Sequence, residues 1–185
     1  MRAVLALFAA AALATELGSA ETYFNERSEA YLTQCANACG GMDGELAKLE
    51  TGLGQIDESV IQRQLDFMDE RKASADFKAT RCLRLFGLHG DSPRLSCAIK
   101  AEFKETFLDF KYWIDEPGED AMQFWSENHF IMCTSTDYIA GTMYSNETFR
   151  NDGRTGAEHA ATARPRVLQW LNDRMAYGFS EWLSS

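Results

Sequence analysis

The chain has 185 residues, 45% of them hydrophobic, with 28 acids against 18 bases and a formal net charge of −10. That length suits one domain of ordinary size with a real core. The acidity argues against binding DNA or RNA by electrostatics and against docking on anionic lipid.

At the N-terminus, Arg2 precedes an uninterrupted apolar run from Val4 to Ala14, and Gly18-Ser19-Ala20 offers the small residues a signal peptidase reads. Spanning a bilayer as a helix takes about 20 apolar residues, more than this run supplies. Residues 1–20 therefore read as a cleaved signal peptide and 21–185 as a secreted helical-hairpin domain with no membrane anchor. Secretion makes Asn146-Glu147-Thr148 a candidate N-glycosylation site.

Helical periodicity dominates the chain beyond Ala20. Val60, Ile61, Gln64, Leu65 and Met68 mark a helix over about 57–73, and Phe77, Leu83 and Phe86 a second over about 75–86. Ser92 reads as an N-cap with Pro93 at the first helical position, opening a helix that carries Ile99, Phe103, Phe107 and Phe110. A longer helix is expected from Pro117 to about Tyr144, with Ala121, Trp125, Asn128, His129, Met132, Thr136 and Ile139 on one inward face. Thr155-x-x-Glu158 matches a capping box, and Pro165 divides a final pair whose second member carries Leu168, Leu171 and Met175. The fold class is all-α, built from serial antiparallel hairpins.

Candidate chemistry concentrates between Tyr112 and His129, where Trp113, Asp115, Glu116, Trp125, Glu127, Asn128 and His129 mix aromatic faces with carboxylates, an amide and an imidazole. Indole faces stack on sugar rings, and carboxylates and amides hydrogen-bond their hydroxyls. No Lys or Arg occurs between Lys111 and Arg150, while seven acids do. His89 and His159 read as surface residues. No cofactor motif is present. Cys35-x-x-x-Cys39 lacks the second Cys or His pair that zinc would need.

The pattern YWxDEPGxDxMxFWSENH over Tyr112–His129, with Tyr138-Ile139-Ala140-Gly141, Thr155–His159, Trp170-Leu171 and Gly178–Leu183, resembles large secreted α/α-toroid proteins. Many glycoside hydrolases and polysaccharide lyases share that architecture. The resemblance covers roughly 56–185 and implies a polysaccharide or glycan as the partner. Two mechanisms are carried with it. In a lyase, Asn128 would neutralise a uronate, His129 would take the α-proton, and Tyr138 or Tyr144 would protonate the leaving oxygen. In a hydrolase, Asp115 or Glu116 would pair with Glu127 as acid and base, while Trp113 and Trp125 would bind substrate. A closed six-hairpin toroid needs about twice the helices seen here, so the chain is expected to be an incomplete toroid, inactive as it stands. The alternative is a secreted helical module that binds a protein partner without catalysis.

Five cysteines leave at least one thiol without an intrachain partner, and Cys133 is the expected buried free thiol. A disulfide between Cys82 and Cys97 is expected if their helices form an antiparallel hairpin. The rival is Cys35–Cys39.

Overall fold

A computed structural model describes residues 21–179, and the proposed signal segment 1–20 lies outside them. The described residues divide into two compact units, with the boundary between Ile56 and Asp57.

The first unit holds α1 (21–38) and α2 (Gly41–Thr51). Leu32, Cys35 and Ala36 of α1 pack with Ala47 of α2. The helices turn sharply at Gly40-Gly41, with Gly41 at φ +69°, a conformation that costs glycine little. Gly44 lies so close to the end of α1 that a Cβ there would sit 2.3 Å from the Cys39 carbonyl oxygen. Cys35 and Cys39 are disulfide-bonded.

The second unit holds α3 (Glu58–Asp69), α4 (Ala75–His89), α5 (Cys97–Asp109), α6 (Glu127–Met143) and α7 (Gly156–Tyr177). α3 packs on α4 and α5, α4 on α6, and α6 on α7. No strand forms among the described residues, only an isolated bridge between Thr148 and Thr155, so the all-α expectation holds. Ile61, Leu65, Met68, Leu85, Phe103 and Phe107 are buried, and Phe86 stacks on Phe103 at 3.8 Å between ring centres. α6 and α7 meet through two glycines. A Cβ on Gly141 would lie 2.6 Å from the Gly156 carbonyl oxygen, and one on Gly156 would lie 2.2 Å from that of Tyr144.

Local signals set several boundaries. The side chain of Asp57 caps α3 by accepting from Ser59 N–H, and Thr155 and Glu158 form the full capping box of α7. Three expectations need correction. α5 begins at Cys97 under a Ser96 cap, not at Pro93. The final pair is one helix with Pro165 inside it. The helix expected from Pro117 begins only at Glu127. The preceding segment is held by tertiary partners instead: Lys111 donates to the Gly118 carbonyl and pairs with Asp120, and Ala121 N–H donates to the Arg71 carbonyl. Gly118 sits at φ +95°, against the Arg71 guanidinium.

The expected Cys82–Cys97 disulfide is absent; both residues carry free thiols, Cys82 buried and Cys97 exposed. With α5 starting at Cys97, that residue lies at its helix end, while Cys82 is seven residues inside the end of α4. At 1.5 Å per residue the mismatch is about 10 Å along the helix. Cys133 is a buried free thiol, as expected.

Candidate functional site

Two polar sites emerge in the second unit, one enclosed and one open. The enclosed site centres on His159, placed inward by α7. It is 1% exposed, stacked on Phe149 at 4.2 Å and edge-on to Tyr112 at 5.6 Å. Its Nδ1 lies 2.7 Å from Asp137 on α6, and its Nε2 lies 3.2 Å from Asp152 in the loop between the helices. Arg154 ties Asp152 to Glu116, donating to Glu116 Oε1 at 2.9 Å. Glu116 also accepts from Tyr112 N–H at 2.8 Å and from Asn151 at 3.4 Å.

These contacts set the protonation states. Burial pushes the Glu116 carboxyl up to about 7, the Tyr112 N–H offsetting part of the rise. Burial alone would lower His159, but the hydrogen bond and charge of Asp137 outweigh it, so the imidazole holds its proton more tightly than usual. Burial likewise raises Asp137, partly offset by His159. Asp152, favoured by Arg154 and His159 against its desolvation, is lowered.

Glu116, Asp137 and His159 each bring a potential ligand atom within 4.8 Å of the others. The geometry is nonetheless that of an ion-pair nest. Both imidazole nitrogens face carboxylates and the Arg154 guanidinium already supplies a cation, so a metal would have to displace existing partners.

The open site is a groove of about 440 Å³ between the start of α6 and the end of α7, lined by Trp125, Glu127, Phe130, Gln169, Trp170 and Arg174 among others. Trp125 is 74% exposed. It lies in the loop before α6, and not on the inward helix face expected of it. Glu127 pairs with Arg174 at 2.7 Å, and its carbonyl accepts from Trp170 Nε1 at 3.0 Å. Arg174 lies over the Trp170 ring at 5.8 Å.

The remaining candidates are dispersed. Trp113 is half-buried against Phe124 and Phe130, with the Arg166 guanidinium 4.5 Å over its ring. Asp115 is exposed, 3.9 Å from Arg166. Asn128 serves the start of α6, accepting from His129 N–H and the Ser126 hydroxyl. His129 is 7% exposed, with Nδ1 2.7 Å from the fully buried Asp76. Tyr138 is half-buried nine residues further along α6, about 13 Å along the axis from His129. The Asn–His–tyrosine set of a lyase is thus not assembled around one point. Asn146 is exposed in the loop after α6.

Sequence reasoning misses His159, Asp137, Asp152, Arg154 and Asp76. His159, expected at the surface, is enclosed, and His89 is half-buried. One signal for His159 is present: Gly156, His159 and Ala163 share a face at spacings of three and four, and all three are buried. No family model matches the chain, and comparisons with curated proteins and with solved structures return no match.

Proposed function

We propose that this chain is a secreted, glycan-binding helical module that recognises sugar without transforming it. The observation that carries this reading is Trp125, an indole 74% exposed at the lip of a groove holding the Glu127–Arg174 pair. An exposed aromatic face beside convergent polar groups is the composition of a sugar-binding cleft. Binding is favoured over catalysis because the candidate acids are committed to cations: Asp115 faces Arg166, Glu116 bonds Arg154, and Glu127 bonds Arg174. The resemblance to α/α-toroid proteins points to the same ligand class, and the apolar N-terminal run supports secretion.

The test is titration of the chain with a panel of oligosaccharides, followed by calorimetry and tryptophan fluorescence. Binding should weaken at least about tenfold in Trp125→Ala, equivalent to about 1.4 kcal/mol. Binding indifferent to that substitution, or no binding across the panel, overturns the reading.

A second reading has its own observation. Leu168, Leu171 and Met175 are 41%, 44% and 78% exposed along one face of α7, at the spacing with which one helix receives another. It makes the chain a module for an amphipathic partner helix. Capture of such a helix, abolished by Leu168→Glu with Leu171→Glu and untouched by Trp125→Ala, would favour this reading over the first.

A further inference from the structure

We infer that the groove at Trp125 takes a neutral hexopyranose, and that it discriminates against uronates and sulfated sugars. The inference rests on the glycan-binding reading and narrows it to a chemical class.

Three features of the lining support it. The first is the exposed indole of Trp125, which offers a flat apolar surface to the C–H face of a pyranose ring. The second is the ion pair beside it. Glu127 and Arg174 lie 2.7 Å apart, with the carboxylate side chain 7% exposed and the arginine side chain 22%, so the donor-only guanidinium is the more accessible member. A sugar hydroxyl can accept from one of its remaining N–H groups. Gln169, with both donor and acceptor, extends the polar wall.

The third feature is charge. The groove's ionised side chains are Glu127, Asp173 and Arg174, two negative against one positive, and the whole chain carries −10. Arg174 is already matched by Glu127. A uronate or sulfate would bring another anion into a groove with a negative excess. A neutral ring meets no such obstacle.

The experiment compares neutral oligosaccharides of gluco, galacto and manno configuration with their C6-oxidised uronate counterparts, matched in length, on the whole chain by calorimetry. We expect at least one neutral member to bind about tenfold or more tighter than its uronate partner. Its affinity should hold between about 0.05 M and about 0.5 M salt, because no net charge is screened. Asp173→Asn should narrow the neutral-to-uronate ratio. Uronates binding as well as or better than their neutral partners would overturn the inference while leaving the glycan-binding reading standing. No binding by either class would overturn both. Discrimination unchanged in Asp173→Asn would remove the charge argument.

Discussion

The enclosed nest at His159 and the groove at Trp125 share one ion-pair chemistry in different surroundings. Each contains a glutamate held by an arginine at nearly equal distance, Glu116–Arg154 at 2.9 Å and Glu127–Arg174 at 2.7 Å. Both carboxylates are nearly enclosed, with side chains 2% exposed at Glu116 and 7% at Glu127, and both arginines are partly open, 31% at Arg154 and 22% at Arg174. What differs is the neighbourhood: Glu116 also accepts from the Tyr112 N–H in the cluster around the buried His159, whereas Glu127 lines a groove beside the exposed indole of Trp125. Surroundings, more than residue type or the exposure of the pair itself, separate the two.

Four measurements can break or sharpen that contrast. The largest effect should come from His159→Ala, which leaves Asp137 and Asp152 without their shared imidazolium. Uncompensated buried charge costs about 3–5 kcal/mol, and a fall of melting temperature by roughly 10 °C or more should result. A near-neutral result would show that the nest is dispensable.

The second is the pH profile. Glu116, Asp137 and His159 all hold protons more tightly in the folded chain, so folding takes up protons. Their contribution is complete below the unfolded values and is lost as pH rises through the folded ones. For Glu116, raised from 4.5 to about 7, the loss is on the order of 3 kcal/mol across that window. Asp152 works the other way, its contribution disappearing only in acid as pH falls through its lowered value. Denaturation midpoints should therefore decline from about pH 5 to about pH 8, and Glu116→Gln should flatten the decline. A profile unchanged in that variant would assign the slope elsewhere.

Third, Gly141→Ala drives a methyl to within 2.6 Å of the Gly156 carbonyl oxygen and 2.7 Å of Ala160 N, where backbone cannot yield cheaply. A cost of about 1–3 kcal/mol is expected, and wild-type stability would mean that α6 and α7 lie further apart. The smallest effect on stability should be that of Trp125→Ala, within about 0.5 kcal/mol as for most exposed positions. A large loss would mark Trp125 as part of the core and not as a platform.

Legibility in the sequence depends on how far apart the partners of each signal lie. The capping box at Thr155 and Glu158 is readable because both partners sit within one turn, and α3 because its apolar spacing is local. The start of α6 is not. Pro117, Glu119 and Asp120 have the chemistry of a helix start, yet Lys111 and Arg71, from outside the segment, claim its polar groups. Pro165 likewise suggests a break, but it falls on the exposed face of α7, where the carbonyl it leaves without a donor faces water. The acid-rich stretch after Lys111 looks uncompensated in sequence. Its arginines arrive from 154, 166 and 174, brought by the α6–α7 packing. His159 is misread for the same reason: Asp137, which explains its burial, lies 22 residues upstream.

The distribution of sulfur has a practical consequence. Cys35 and Cys39 are consumed in their bridge, and Cys82 and Cys133 are buried, with burial pushing the Cys82 thiol up to about 12 and Cys133 higher still. A thiol in that state presents almost no thiolate to an electrophile near neutral pH. Cys97, exposed at the first turn of α5, is left as the single reactive handle. A maleimide dye or spin label added to the native chain should attach there once, giving a site-specific reporter without mutagenesis, and each further equivalent taken up would count molecules whose core has opened.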